Sequence, residues 1–231
     1  MKKLTFIISA SILLLAPTQD TQAASFSGLY IGVNAGYEFG NTQNHLYGYT
    51  DTSNGYSHIH NMYQHGVTTG LLMGYGWTFL NNWYVGSEID TSWGTTHGNQ
   101  VESTLLHDVK RGNSYSVSLR TGKVFDQVLA YAKVGLKSTI WHFSTTVSSG
   151  WLGGTGTLDV PDSRSRRLFG LVFGVGVETP LSADWHLGGE FTYTRYASST
   201  TTRFVTTGDG FLFSAYRPST MDAVIRLTYK L

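Results

Sequence analysis

The chain has 231 residues, no cysteine, a net charge of +1 and only 13% charged side chains, about half the usual share for a soluble domain. Disulfides, thiol catalysis and lipid attachment at cysteine are therefore excluded, and a near-neutral chain offers nucleic acid no electrostatic footprint. Beyond residue 16 no apolar run is long enough for a membrane helix, a limit that does not apply to a membrane β-barrel, whose alternating strands average out in any hydropathy window.

Lys2 and Lys3 precede an apolar run, Leu4 to Ala16, and a polar stretch with Pro17 leads to Thr21-Gln22-Ala23-Ala24. This is the pattern of a cleaved secretory signal over residues 1–23. Cleavage is expected after Ala23, with Ala24 as the next choice, leaving a single domain over residues 24–231. Removing residues 1–23 takes away Lys2, Lys3 and Asp20 and leaves no net charge.

The remaining chain alternates, residue by residue, between apolar and polar or small side chains, the period of a strand with one greasy face. Eight such stretches follow in order: Gly28 to Gly40, Gly66 to Phe79, Trp83 to Trp93, Ser114 to Phe125, Leu129 to His142, Arg166 to Thr179, Trp185 to Arg195, and Met221 to Leu231. Short turn signals (Leu80-Asn81-Asn82, Asp126-Gln127-Val128, Pro180 to Asp184) alternate with long polar segments at 41–65, 94–113, 143–165 and 196–220. Those four segments show no period and are expected to be loops. The chain stops on an alternating strand, which in an open sheet would leave a bare edge, whereas in a closed barrel the last strand pairs with the first. The expected fold is an all-β, eight-stranded antiparallel up-and-down transmembrane β-barrel with short periplasmic turns and four long extracellular loops.

Aromatic residues band at both ends of the apolar face. Trp77, Phe79, Trp83, Phe125, Trp185 and Tyr229 fall near the short turns, and Phe39, Trp93, Tyr115, Phe169 and Tyr193 near the long segments. Two girdles flanking an aliphatic band are what bilayer headgroups select. Lys123, Arg167 and Arg195 share parity with lipid-facing residues but sit near strand ends, where their heads can snorkel to water.

The opposite face carries Glu38, Glu88, Asp90, Arg120, Lys133, Lys137, Glu178, Glu190, Arg226 and Lys230. An eight-stranded bore is just wide enough for side chains to fill. These charges are therefore expected to pair with one another as a polar plug, with Arg226 and Lys230 meeting Glu38, Glu178 or Glu190. A gated ion path is the alternative. Inward glycines, including Gly32, Gly36, Gly70, Gly74, Gly174, Gly176 and Gly188, leave room for long side chains opposite.

Positive signals for chemistry are few. His45, His58, His60 and His65 cluster in the first polar segment, without cysteine and with little nearby acid, so a solvated segment is expected and no metal or cofactor is implied. His142 with Ser138, and His186 with Thr192, are the only strand-borne pairings of a base with a hydroxyl, and neither lies in a G-x-S-x-G motif. No catalytic residue is assigned, and a lipid-modifying enzyme is the least favoured alternative.

Phe26-Ser27-Gly28-Leu29-Tyr30-Ile31-Gly32-Val33-Asn34-Ala35-Gly36-Tyr37 resembles the first strand of the small surface-antigen barrels of proteobacteria, the opacity-protein and OmpA-like transmembrane-domain relatives. Trp83-Tyr84-Val85-Gly86-Ser87-Glu88 is similar to their third strand and Tyr131-Ala132-Lys133-Val134-Gly135 to their fifth. The resemblance implies a monomeric barrel in the bacterial outer membrane, delivered by the outer-membrane assembly machinery and acting as a structural or surface-interaction protein. Its partners would be outer-membrane lipids and host-surface or extracellular ligands reached through 41–65, 94–113, 143–165 and 196–220. Relatives commonly end in a lipid-facing aromatic. Here the last residue is Leu231, with Tyr229 two before it, so the terminal assembly signal is expected to rest on these two.

Overall fold

A computed structural model describes residues 26–50, 53–102, 105–147, 162–205 and 210–231. Ten β-segments follow in order: β1 (Gly28–Thr50), β2 (Ser53–Phe79), β3 (Trp83–Gly94), β4 (His97–Glu102), β5 (Leu105–Phe125), β6 (Val128–Val147), β7 (Asp162–Pro180), β8 (Trp185–Tyr196), β9 (Ser199–Val205) and β10 (Gly210–Lys230). β4 resumes the path of β3 after a break at Thr95 and Thr96, and β9 that of β8 after Ala197 and Ser198. The wall therefore has eight staves, in the order β1-β2-β3-β5-β6-β7-β8-β10, and β10 returns to β1.

Closure is antiparallel from Tyr30↔Lys230 to Tyr49↔Phe211. The last amide donates from Leu231 N to Leu29 O at 2.9 Å, so the chain end leaves no free edge there. At the short-turn end Asn81 (φ 65), Asn82 (φ 63) and Asp126 (φ 52) adopt the left-handed conformation, which Asn and Asp tolerate better than other side chains with a Cβ.

Side chains alternate across the wall. Leu29, Ile31 and Val33 on β1, Leu71 and Met73 on β2, Val117 and Leu119 on β5, and Phe173, Val175 and Val177 on β7 all point outward. Trp77, Phe79, Trp83, Phe125 and Trp185 are exposed at the short-turn end, and Tyr229 packs on Trp185 with ring centroids 5.0 Å apart. Phe39, Trp93, Tyr115 and Phe169 are exposed at the other end, with Tyr193 half-buried beside them.

Where they are described, the polar segments expected to be loops are largely strand. β1 and β2 stay paired past Gly40 and Gly66 to the rung Thr50↔Ser53, β4 pairs with β5, β6 runs to Val147, β7 begins at Asp162, and β10 at Gly210. The physical reason lies in their surroundings. No lipid touches them, so no apolar face is imposed, and ladder hydrogen bonds hold them without alternation.

Two rungs mark where the closed wall ends. β2 and β4 share only the pair His65↔His97. β7 and β8 pair up to Gly170↔Tyr196, and among the described residues no ladder joins β7 to β9. Beyond these rungs the wall divides into two four-stranded sheets, β2-β1-β10-β9 and β4-β5-β6-β7. Among the described residues each sheet has two edges with no ladder partner.

Candidate functional site

The bore is built from alternate residues of all eight staves and holds two layers of charge. In the lower layer Glu88 on β3 is the hub. Its carboxylate accepts from Lys133 Nζ at 2.9 Å, Arg226 Nη1 at 3.1 Å and Tyr30 Oη at 3.0 Å, with Arg120 Nη1 at 3.4 Å and a further close contact to Arg226 Nη2. Glu190 accepts from Lys133 at 3.0 Å, from Tyr131 Oη at 2.8 Å and from Arg226. Glu178 lies 2.9 Å from Arg120 Nη2 and 3.3 Å from Arg226 Nε. Three carboxylates thus face two guanidiniums and one ammonium, and the layer is neutral. Removing one member would strand buried charge at a cost of several kcal/mol, on the order of 3–5.

The upper layer joins Glu38 to Arg111 at 2.9 Å and Asp222 to Lys137 at 3.1 Å. Glu38 and Asp222 are direct cross-strand partners in the closing ladder, so two like charges sit side by side and each needs its own cation. Arg111 also donates to Ser114, at 3.1 Å from Nε, and to Thr68, at 3.2 Å from Nη1. Asp90 stands between the layers, 3.7 Å from Lys133 and bonded to the Ser116 hydroxyl. A cavity of about 40 Å³ separates the layers, lined in part by Asn34, Asp90, Lys133, Lys137 and Asp222. That is room for a few water molecules.

Apolar clusters lie toward both ends. Phe26, Tyr84, Val124, Leu129 and Tyr131 pack below the charges, and the Arg120 guanidinium lies 3.7 Å from the centre of the Tyr131 ring, a cation–π distance. Above them Met62, Val109, Trp141, Phe143, Leu168, Tyr196 and Tyr216 form a second cluster, with Phe143 stacked on Tyr216 at 4.6 Å. Glycine makes this filling possible. A Cβ on Gly74 would lie 2.3 Å from Tyr30 Oη, and one on Gly176 would lie 2.4 Å from Tyr131 Oη.

Nine of the ten charges assigned to the bore thus meet in one paired stack. Lys230 does not. It joins no ion pair among the described residues and lines a small pocket at the short-turn mouth with Phe26, Tyr84 and His186. Glu38 is matched by Arg111 and not by Arg226 or Lys230. Two members, Arg111 and Asp222, escaped the sequence reading. Arg111 fell in a segment without period, whereas Asp222 shares parity with Arg226 four residues on, a signal that was available.

The base–hydroxyl pairs separate. His142 points outward with its Nδ1 2.7 Å from Ser165 Oγ, not toward Ser138. His186 is buried against Phe26 with ring centroids 5.0 Å apart. His65 stacks on Tyr37 and His45 contacts the Tyr47 hydroxyl. The side chains of His58 and His60 lie outside the described residues, as do residues 1–25 with the expected cleavage site at Ala23 or Ala24.

A closed eight-stave wall with an apolar outer band, two aromatic girdles and a polar bore defines an outer-membrane β-barrel. The family profile described as outer membrane protein beta-barrel domain matches residues 7–229, and the chain belongs to that family. It resides in the bacterial outer membrane. Among solved structures the chain is similar to OprG of Pseudomonas aeruginosa, at 10% identity over 89% of this chain and 97% of that one, with a TM-score of 0.48. It is also similar to Ail of Yersinia pestis, at 13% identity over 83% and 97% with a TM-score of 0.35. Neisserial surface protein A is 16% identical over 86% and 99%, with a TM-score of 0.33. No curated protein sequence matches the chain.

Proposed function

We propose that this protein is a non-enzymatic surface-interaction barrel, monomeric in the membrane, whose ligand-contacting parts are the two sheets that stand above the outer girdle. The observation that carries this reading is the contrast between the two halves of the wall. Within the membrane the bore is occupied by paired charge and capped by aromatic side chains at both ends. Above it β1 continues from Phe39 to Thr50 and its neighbours rise with it, a reach of about 35 Å at roughly 3.3 Å per residue.

Building that much ladder outside the bilayer contributes nothing to spanning it. The sequence there is rich in Tyr, Asn, Ser, Thr and Gly, which supply adaptable polar contacts on a stiff support. Open strand edges add a second mode, since an extended segment of a partner can pair with them. The same filling disfavours the ion-path alternative, and no third group orients the exposed His142–Ser165 pair among the described residues. Residues 1–23 act in this reading as the export signal, removed before assembly.

The test shortens each sheet at a known rung. In one variant a two-residue Asn-Gly turn replaces residues 44–60, joining the partners Gln43 and Asn61. In the other the same turn replaces residues 99–108, joining Gly98 and Val109. Refolded full-length and shortened proteins are applied to arrays of glycans and extracellular-matrix proteins. Binding by the full chain that disappears in a shortened form, with the heat-modifiable gel shift of a folded barrel retained, is the expected result. Binding that survives both deletions would place the contact surface elsewhere.

A further inference from the structure

Three arginines stand on the lipid-facing side of the wall just above the outer girdle: Arg167 on β7, Arg195 on β8 and Arg217 on β10. All three are exposed, and none of their side chains makes an ion pair or hydrogen bond among the described residues. A cation facing lipid is costly unless it reaches water or an anion. The geometry around two of them is more specific than snorkelling requires.

The ladder gives their height. Phe39, Met221 and Tyr193 form one outward row across β1, β10 and β8, the top of the apolar band at this side. The next outward row is Asn41, Ser219 and Arg195, and the one above pairs Gln43 with Arg217. At that level the wall is irregular. β10 pairs Tyr216 with Ser199 and Ser219 with Arg195, so Arg217 and Pro218 oppose three residues, Tyr196, Ala197 and Ser198. Proline has no amide hydrogen to give the ladder, and an extra residue opposite it makes a bulge. The bulge opens a notch of about 430 Å³ lined by Asn41, Gln43, Tyr193, Arg195, Ser198 and Arg217, among others. Arg167 flanks it, two residues above Phe169, whose carbonyl accepts from Ala197 N at 2.8 Å.

We propose that this notch binds the phosphate groups of the phosphorylated glycolipid of the outer leaflet, with Arg195 and Arg217 as the phosphate-holding residues. Guanidinium groups match phosphate oxygens in fork geometry, and hydroxyl and amide side chains at the rim complete the set. The occupant is a lipid and not a free anion because of what lies directly below. Phe39, Met221, Tyr193 and the aliphatic rows under them receive acyl chains, while the two cations wait one row higher at headgroup depth. An amphiphile with an anionic sugar head satisfies both at once. Arg167 extends the positive field around the wall.

The experiment compares the refolded full chain in neutral detergent with a double variant, Arg195→Gln and Arg217→Gln, and with Lys123→Gln at the opposite end of the barrel. The probes are diphosphoryl lipid A, the same lipid with both phosphates removed, and inorganic phosphate, with retention scored by native mass spectrometry. The parent and Lys123→Gln are expected to hold diphosphoryl lipid A at least tenfold more tightly than the phosphate-free lipid, and the double variant to lose that preference while keeping its heat-modifiable shift. Equal retention by parent and double variant would overturn the proposal, as would a parent that does not distinguish the two lipids. Displacement of the lipid by inorganic phosphate at comparable concentration would show a free-anion site and overturn the lipid assignment.

Discussion

Glu88 shows how much one residue carries. Its carboxylate is buried at 1% exposure and meets Lys133, Arg226, Arg120 and Tyr30, side chains of four further staves. Glu88→Ala leaves the three cations of its layer, Arg120, Lys133 and Arg226, with only Glu178 and Glu190, so unfolding in urea from lipid vesicles should show a loss of about 3–5 kcal/mol. A loss below about 1 kcal/mol, the range of exposed surface pairs, would mean the hub is solvated and the stack is not a structural plug. At this scale the sequence was partly legible. Parity alone put ten charges on the inner face, nine of which meet in the stack, because a strand cannot place neighbours on the same side. It did not say which pairs form, since partners such as Lys133 and Glu190 are 57 residues apart and meet only through register. Arg111 was hidden for a different reason: its segment touches no lipid, and nothing there marks inside from outside.

Elements divide along the same line. Within the apolar band all eight staves were visible, because lipid on one face and a polar bore on the other enforce alternation. Above the girdle the ladders of β1–β2 and β4–β5 continue without it, and polar composition there looks like loop. The end of β10 is the element on which closure depends. Tyr229 packs on Trp185, Lys230 N donates to Asp184 O at 2.8 Å and Leu231 N to Leu29 O, so the last three residues tie β10 to the β7–β8 turn and to β1. Tyr229→Ala should lower the folded fraction in a refolding assay scored by gel mobility, and Leu231→Phe should assemble at least as well as the parent. Equal folded yields for Tyr229→Ala and the parent would remove Tyr229 from the terminal signal. The bulge at Pro218 was not legible either, because a proline in a segment without period reads as one more loop residue.

For the whole molecule the structure separates two jobs along one wall. The lower part spans the membrane and its bore is filled: a six-charge layer, a four-charge layer, Asp90 between them and an apolar cluster toward each end. The upper part opens into two sheets and faces the outside. The claim on which the rest depends is that the bore is closed, so that what the protein does it does on its outer surface. A chain without cysteine allows this to be read directly by single-cysteine labelling on intact cells with a membrane-impermeant maleimide. Ser165→Cys, exposed on β7 above the girdle, reports the surface, and Ser118→Cys, buried at 2% exposure beside Glu88 in the bore, reports the interior. A closed bore predicts rapid labelling of Ser165→Cys and none of Ser118→Cys until the barrel is unfolded. Labelling of both at comparable rates would contradict it and restore the open path.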